Sequence, residues 1–356
     1  MTPEKIKLRR EHSMDLQEIK ARAERGDADA QSLLGFCYLR GEDGEENSKE
    51  AVKWFLKAAW QGNADGQRGL GACYRYGEGV EQNNEQAVKW YLKAAEKRDA
   101  SAQFLLGRCY QDGDGVEAND VEAVTWFRKA AEQGHAYAQN SVASCYKNGR
   151  GVEKDHTEAL KWYRRAAKQG DAYDQRSLAD CYRDCKDYAE AAKWFRKAAE
   201  QGDALAQISL GFCYRDGEGV EQNFEEAVKC YRKPADQDEE HFQAFGQSLV
   251  GDCYYHGNGV EQDYVEAVKW YRKAAEKGDA GGQFLLGGCY RHGKGVETDY
   301  VEAWAWWNLA AITDEDEAEE RDQLESTMTP QQVGDAQKRT KELRAQIEAR
   351  IESGDE

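Results

Sequence analysis

Apolar positions recur along this chain at the three- and four-residue spacing of helices, and the helices recur in turn. Between residues 64 and 95, Ala64, Gln67, Leu70, Gly71, Cys73 and Tyr74 lie along one helix, and Ala87, Val88, Trp90, Tyr91, Ala94 and Ala95 make the apolar face of a second. The alternation that would mark a strand is absent. Ala64 and Gly71 are small enough to let helices approach closely. Tyr74, Trp90 and Tyr91 supply most of the apolar area, worth about 1.5–3 kcal/mol for each such side chain buried. Cys-Tyr pairs begin at Cys37, Cys73, Cys109, Cys145, Cys181, Cys213, Cys253 and Cys289, spaced by 36 residues except for one interval of 32 and one of 40. A period of this size marks one supersecondary unit per repeat, stacked so that neighbours bury each other's apolar faces.

Local signals agree. Gly77, Gly113, Gly149, Gly217, Gly257 and Gly293 follow the first helix where a left-handed C-cap is expected. Each second helix opens on an acceptor followed three residues later by Glu or Gln, a capping box: Asn47/Glu50, Asn83/Gln86, Asn119/Glu122, Asp155/Glu158, Asp187/Glu190, Asn223/Glu226, Asp263/Glu266 and Asp299/Glu302.

Composition narrows the function. The 356 residues are 33% charged with a net charge of -18, so nucleic acid and anionic membranes are not expected partners. No run of lysines and arginines overrides that balance, and no apolar stretch approaches the roughly 20 residues of a membrane span. Met1 to Asp15 is charged and lacks the apolar middle of a secretory signal.

The run Gly-x-Cys-Tyr-x-x-Gly-x-Gly-Val, followed by Glu-Ala-Val-x-Trp-Tyr-x-Lys-Ala-Ala-x-x-Gly, strongly resembles the Sel-one-like repeats, close relatives of the tetratricopeptide repeats. The match is clearest at Gly71 to Ala95, Gly107 to Ala131 and Gly287 to Ala311, and spans residues 27–311. The resemblance implies an all-α, right-handed superhelical solenoid of about eight helix-turn-helix repeats with terminal capping helices, its concave face lined by the first helices. Members of the family serve as adaptors in membrane-protein degradation complexes, bacterial regulatory assemblies, polysaccharide export and host interaction. The expected layout is an N-terminal capping helix in 1–26, eight repeats in 27–311, and an acidic helical cap with a frayed end in 312–356.

Three repeats depart from the pattern. Repeat one has Gly41-Glu42-Asp43-Gly44 in its hairpin, and repeat five loses four residues after Asp184, with Cys185 replacing the glycine. Its hairpin is expected to resemble an ordinary tetratricopeptide turn. Repeat six has Cys230 for tryptophan, and Pro234 interrupts Lys-Ala-Ala, which costs about 3 kcal/mol within a helix. The irregular stretch 234–242 is read either as a bend between two lobes or as an exposed irregularity. At the ends, Asp15 to Arg25 is expected to cover the first repeat. Beyond Ala311, Asp314 to Glu317 begins an acidic turn and Thr329-Pro330 starts a fresh helix. Residues 311–356 hold 14 acidic and 6 basic residues, read as a solvated cap or an acidic recognition tail.

No cofactor is expected. The eight repeat cysteines read as small buried core residues, since successive repeats sit about 10 Å apart, beyond the roughly 7 Å limit for a bridge. Cys181 and Cys185, one turn apart, are either bridged or a buried and an exposed thiol. Abundant unpaired cysteine points to a reducing compartment, so the cytoplasm is expected, and a secreted or periplasmic location is the alternative if a signal peptide was removed. The Gly-x-Gly-Val loops follow helices and lack a lysine followed by Ser/Thr, which excludes a phosphate cradle. His256 and His292 occupy equivalent positions and are either a zinc or pH-responsive pair or solvated residues. No catalytic set stands out, because a regular stack multiplies carboxylates without singling any out.

Under the geometry that the resemblance implies, the groove-facing residues are Phe36, Arg68, Arg75, Phe104, Arg108, Tyr137, Asn140, Tyr173, Arg176, Arg183, Ile208, Phe212, Arg215, Tyr255, Phe284 and Arg291. Aromatics and arginines, the residues of binding hot spots, dominate. The expected function is a protein-binding adaptor whose partner is a protein or peptide with apolar anchors and acidic flanks. The alternative is a secreted or periplasmic hydrolase or carbohydrate-associated factor of the same fold.

Overall fold

The computed structural model describes residues 16–42, 46–236, 240–313 and 318–353, and residues 240, 241, 313 and 351–353 by their backbone alone. Outside these lie the charged start Met1 to Asp15 with His12, Asp43 and Gly44 of the first hairpin, residues 237–239 of the sixth-repeat insertion, and the acidic turn Asp314 to Glu317. The chain divides into two compact units, Met1–Gly170 and Asp171–Glu356. The two-lobe reading puts the boundary near 234–242, but that stretch falls inside the second unit.

In the first unit, α1 (Leu16–Glu24) covers the first of four helical hairpins: α2 (Ala28–Leu39) with α3 (Ser48–Trp60), α4 (Ala64–Tyr76) with α5 (Asn84–Glu96), α6 (Ala100–Asp112) with α7 (Asp120–Glu132), and α8 (Ala136–Asn148) with α9 (His156–Ala167). Ile19 and Ala23 of α1 bury against Ala30, Leu34 and Cys37, which would otherwise form an open apolar end.

The second unit repeats the scheme. Its hairpins are α10 (Ala172–Asp184) with α11 (Tyr188–Glu200), α12 (Ala204–Asp216) with α13 (Phe224–Ala235), α14 (Glu240–His256) with α15 (Tyr264–Glu276), and α16 (Ala280–His292) with α17 (Tyr300–Thr313). Then α18 (Ala318–Glu325) and α19 (Pro330–Ser353) close the stack. Trp304 and Trp307 of α17 pack with Leu324 and Ala336, and Trp306 with Leu343 and Ile347. The helix start expected at Thr329 is a capping box: the Thr329 backbone N–H donates to Gln332 Oε1 at 2.9 Å.

Half of each capping box forms: the N-cap side chain accepts as expected, but the N-cap N–H donates to the first-helix tyrosine carbonyl, as Asn83 does to Tyr74 at 2.8 Å. Asn83 accepts from the Gln86 N–H at 3.0 Å, and the same bond recurs in the other second helices. Within hairpins a glycine lets an aromatic ring approach: a Cβ on Gly71 would stand 2.6 Å from the Tyr91 ring. The fifth hairpin is a three-residue turn in which Lys186 takes the left-handed conformation. Pro234 does not interrupt its helix. It lies in the last turn of α13, where it forfeits the bond to the Cys230 carbonyl, and the chain leaves the helix through Asp236.

A buried glutamine joins hairpin to hairpin. Gln31, Gln67, Gln103, Gln139, Gln207, Gln247 and Gln283 each donate through Nε2 to a carbonyl at the end of the preceding helix, at 3.0–3.3 Å. These bonds satisfy carbonyls that a helix end leaves orphaned. Where Gln61, Gln133, Gln169 or Gln201 follows the second helix, its amide donates to the buried glutamine's Oε1 at 2.7–3.1 Å. Lys97 and Lys277 replace that glutamine in two repeats, and the Oε1 atoms of Gln67 and Gln247 are left without a protein partner.

Candidate interaction faces of the first helices

Positions spaced three, four and three residues apart form one stripe on each first helix, as at Tyr137, Asn140, Ser144 and Lys147 of α8. In the first unit this stripe carries two aromatic groups. Phe36 meets Phe55 edge-on at 4.8 Å and lies beneath the Arg68 guanidinium at 5.4 Å. Phe104 stacks on His135 at 4.9 Å and stands 6.2 Å from Tyr137, which is 59% exposed. His135 holds the trio through the backbone: it is the N-cap of α8, and its Nδ1 accepts from the Ala138 N–H at 3.2 Å. Burial depresses the His135 pKa, which favours the neutral ring that this cap requires. The other described first-helix N-caps are Asp or Asn. That departure is readable in the sequence as a change within one repeat column.

In the second unit, Tyr173 is half exposed with Arg176 5.2 Å above its ring. Phe212 lies edge-on to Tyr231 at 5.6 Å and beneath Arg215 at 4.6 Å. Tyr255 meets Tyr264 and His256 edge-on, each at 5.0 Å. Phe284 is tilted on Trp307 at 6.1 Å, and Arg291 stacks over Tyr300 at 4.9 Å. Asp252, which sequence reasoning does not single out, accepts from the Tyr271 hydroxyl at 2.7 Å, and burial pushes its carboxyl above the usual range.

Two predicted groove residues fall elsewhere. Ile208 is 2% exposed, in a core cluster with Val228, Tyr231 and Val250, and Asn140 is buried as well. Both occupy the column of Arg68 and Arg176, where a short side chain sinks between neighbouring helices and a long one reaches out. Six of the seven predicted arginines are already engaged by aspartates. Arg68 pairs with Asp65 at 2.8 Å, Arg75 with Asp114 at 2.7 Å and Arg108 with Asp112 at 3.1 Å. Arg176 pairs with Asp203 at 3.1 Å, Arg183 with Asp180 at 2.7 Å and Arg215 with Asp216 at 2.7 Å. Asp65, Asp112, Asp180 and Asp216 lie on the arginines' own helices, whereas Asp114 and the N-cap Asp203 come from the next repeat, and together they largely neutralise the face.

The ten cysteines are unbridged; Cys185 is exposed and the others are buried. His256 and His292 are both exposed near the ends of their helices. Among the described residues no helix is long and apolar enough to cross a membrane.

Stacked helical hairpins, glutamine-linked and capped at both ends, define an all-α solenoid of the tetratricopeptide type. The chain belongs to the Sel1 repeat family, which matches residues 28–63, 64–99, 100–135, 136–171, 186–203, 204–239, 244–279 and 280–312. It is similar to a Sel1 repeat protein from Oxalobacter formigenes, with 28% identity over 86% of this chain and 89% of that one and a TM-score of 0.65. It is also similar to a protective antigen of uropathogenic Escherichia coli, with 30% identity over 96% of this chain and 97% of that one and a TM-score of 0.42. No curated protein matches the chain. Repeats of this family are typically non-catalytic scaffolds for protein–protein interaction.

Proposed function

We propose that this protein is a scaffold whose first-helix faces hold a partner polypeptide by its apolar side chains. One observation carries the reading: the Phe104–His135–Tyr137 group sets an exposed tyrosine on a rigid aromatic base, anchored by a helix cap. Aromatic side chains of this kind give large contact area at small entropic cost, which is why they dominate hot spots. In the second unit Tyr173 has the same column position as Tyr137, beside Arg176. Because six of the seven arginines are already paired, they orient the rings and offer spare N–H donors, and specificity rests on shape more than on net charge.

The test starts from a partner isolated by affinity capture and titrated calorimetrically against the full chain. Tyr137→Ala and Phe104→Ala are expected to weaken binding by about 1–2 kcal/mol each, with helical circular dichroism unchanged. Tyr173→Ala probes the second unit in the same way. Unchanged affinity in all three folded variants would move the interface off the first helices.

A further inference from the structure

The second helices of the first two repeats carry a surface that repeats three to seven lack. Trp60, the last residue of α3, is 77% exposed. Repeats two to seven have Glu96, Glu132, Lys168, Glu200, Asp236 and Glu276 at its position. One turn earlier stands Leu56, and repeat two has Leu92, where repeats three to seven carry Arg128, Arg164, Arg196, Arg232 and Arg272. Those arginines bind the tyrosine of the next first helix: Arg128 donates to the Tyr146 hydroxyl at 2.6 Å and Arg196 to that of Tyr214 at 3.0 Å. Tyr74, the corresponding tyrosine, instead shares an apolar cluster with Leu56. Substitution has therefore replaced a charged edge with an apolar one at two column positions.

The cations beside this edge belong to a stack that recurs in later repeats, where Lys129 lies over Trp126 and Lys197 over Trp194; only here do they flank an exposed tryptophan. The Trp60 ring meets Trp90 edge-on at 6.3 Å, and Lys93 lies 3.9 Å over the Trp90 ring. Lys57 lies 3.7 Å over Trp54. Neither lysine has a carboxylate within ion-pair distance among the described residues. With tryptophan in place of the usual glutamate, α3 holds Lys49, Lys53 and Lys57 against Glu50 alone. On a chain of net charge -18 this is a local excess of unpaired cations around an exposed indole, whereas the first-helix arginines are occupied by their own aspartates.

We propose that the edge formed by Leu56 and Trp60, flanked by Lys57 and Lys93, is a second docking surface. Its occupant is an acidic peptide segment with an aromatic or leucine side chain set between carboxylates. The exposed Trp60 indole, with the half-buried Leu56 one turn earlier, receives the apolar side chain, and the ammonium groups meet the carboxylates. An anionic bilayer is the poorer fit, because the remaining surface of so acidic a chain repels it.

The test measures fluorescence anisotropy of the full chain against an array of short labelled peptides rich in Asp and Glu with one or two Leu, Phe or Trp. Trp60→Glu and Leu56→Arg install residues that later repeats already carry, so the fold is retained, which a melting curve checks. At least one acidic peptide is expected to bind. Each substitution should weaken it by about tenfold or more, as for a hot-spot residue. Added salt should weaken it too, since the lysines are exposed. Tyr137→Ala should bind the peptide as the unmodified chain does, which separates this surface from the first-helix face. The proposal is overturned if no acidic peptide binds, or if Trp60→Glu binds normally. It is equally overturned if the Trp60-dependent event is flotation with phosphatidylserine vesicles or self-association in sedimentation velocity.

Discussion

Gln67 illustrates how much a single residue discloses before folding. The helical stripe places it among Ala64, Leu70 and Cys73, so its burial is legible. Its bonding partner is not, because that is the Ala59 carbonyl on the preceding helix. The acceptor half of such an amide depends on a residue still further away, just past the second helix of the same repeat: Gln133 donates to Gln103, but with Lys277 in that place Gln247 Oε1 has no partner. An unsatisfied buried acceptor is a cost that a donor relieves, worth about 0.5–1.5 kcal/mol for a neutral bond. Lys277→Gln is therefore expected to raise the thermal midpoint by a few degrees, and Gln133→Lys to lower it by a similar amount. A shift in the opposite sense for either variant would show that water serves this acceptor equally well.

At the scale of the element, the Gly-x-Gly-Val loop separates two glycines that look alike in sequence. Gly113 ends α6 with φ +77°, and a Cβ there would meet Ala118 at an ordinary 3.5 Å. Gly115, with φ +74°, is pressed against the first turn of α5, where a Cβ would stand 2.3 Å from the Asn84 backbone. A side chain in the left-handed region costs about 1–2 kcal/mol at either position, but only at Gly115 would it also force two hairpins apart. Chemical denaturation of Gly113→Ala and Gly115→Ala is expected to show a loss at least twice as large for Gly115. Equal losses would mean that the contact between hairpins yields without cost. The cap at Gly113 is legible in the sequence, whereas the contact at Gly115 is not, since the helix it touches belongs to the previous repeat.

For the whole molecule, cysteine burial offers a readout. Cys37, Cys73, Cys109, Cys145, Cys181, Cys213, Cys230, Cys253 and Cys289 are buried along both units, and Cys185 is exposed. Burial raises the thiols of Cys73 and Cys289 to about 12, and those of Cys109, Cys145, Cys213, Cys230 and Cys253 to about 11. Thiolate, the reactive form, is thus scarce as well as shielded. At mildly alkaline pH an aromatic disulfide reagent should titrate one thiol quickly and the other nine only as denaturant opens the stack. Cys185→Ser should abolish the fast phase. Several fast thiols in the native chain would contradict the packing described above.

The repeat, the helix boundaries, the caps and the identity of the buried stripe are all specified by neighbours along the chain. Each rests on residues within a turn or two of one another, where backbone hydrogen bonding and side-chain spacing are decided locally. Which exposed groups are available depends instead on how the hairpins stack. Arg75 finds Asp114 and Arg176 finds Asp203 only after successive hairpins meet, whereas Arg68, Arg108, Arg183 and Arg215 pair with aspartates one to four residues away on their own helices. Stacking likewise sinks Ile208 and Asn140 while leaving Tyr137, Tyr173 and Trp60 in solvent, because exposure in a repeat stack is set by the neighbouring repeat, and each of these positions has a different neighbour.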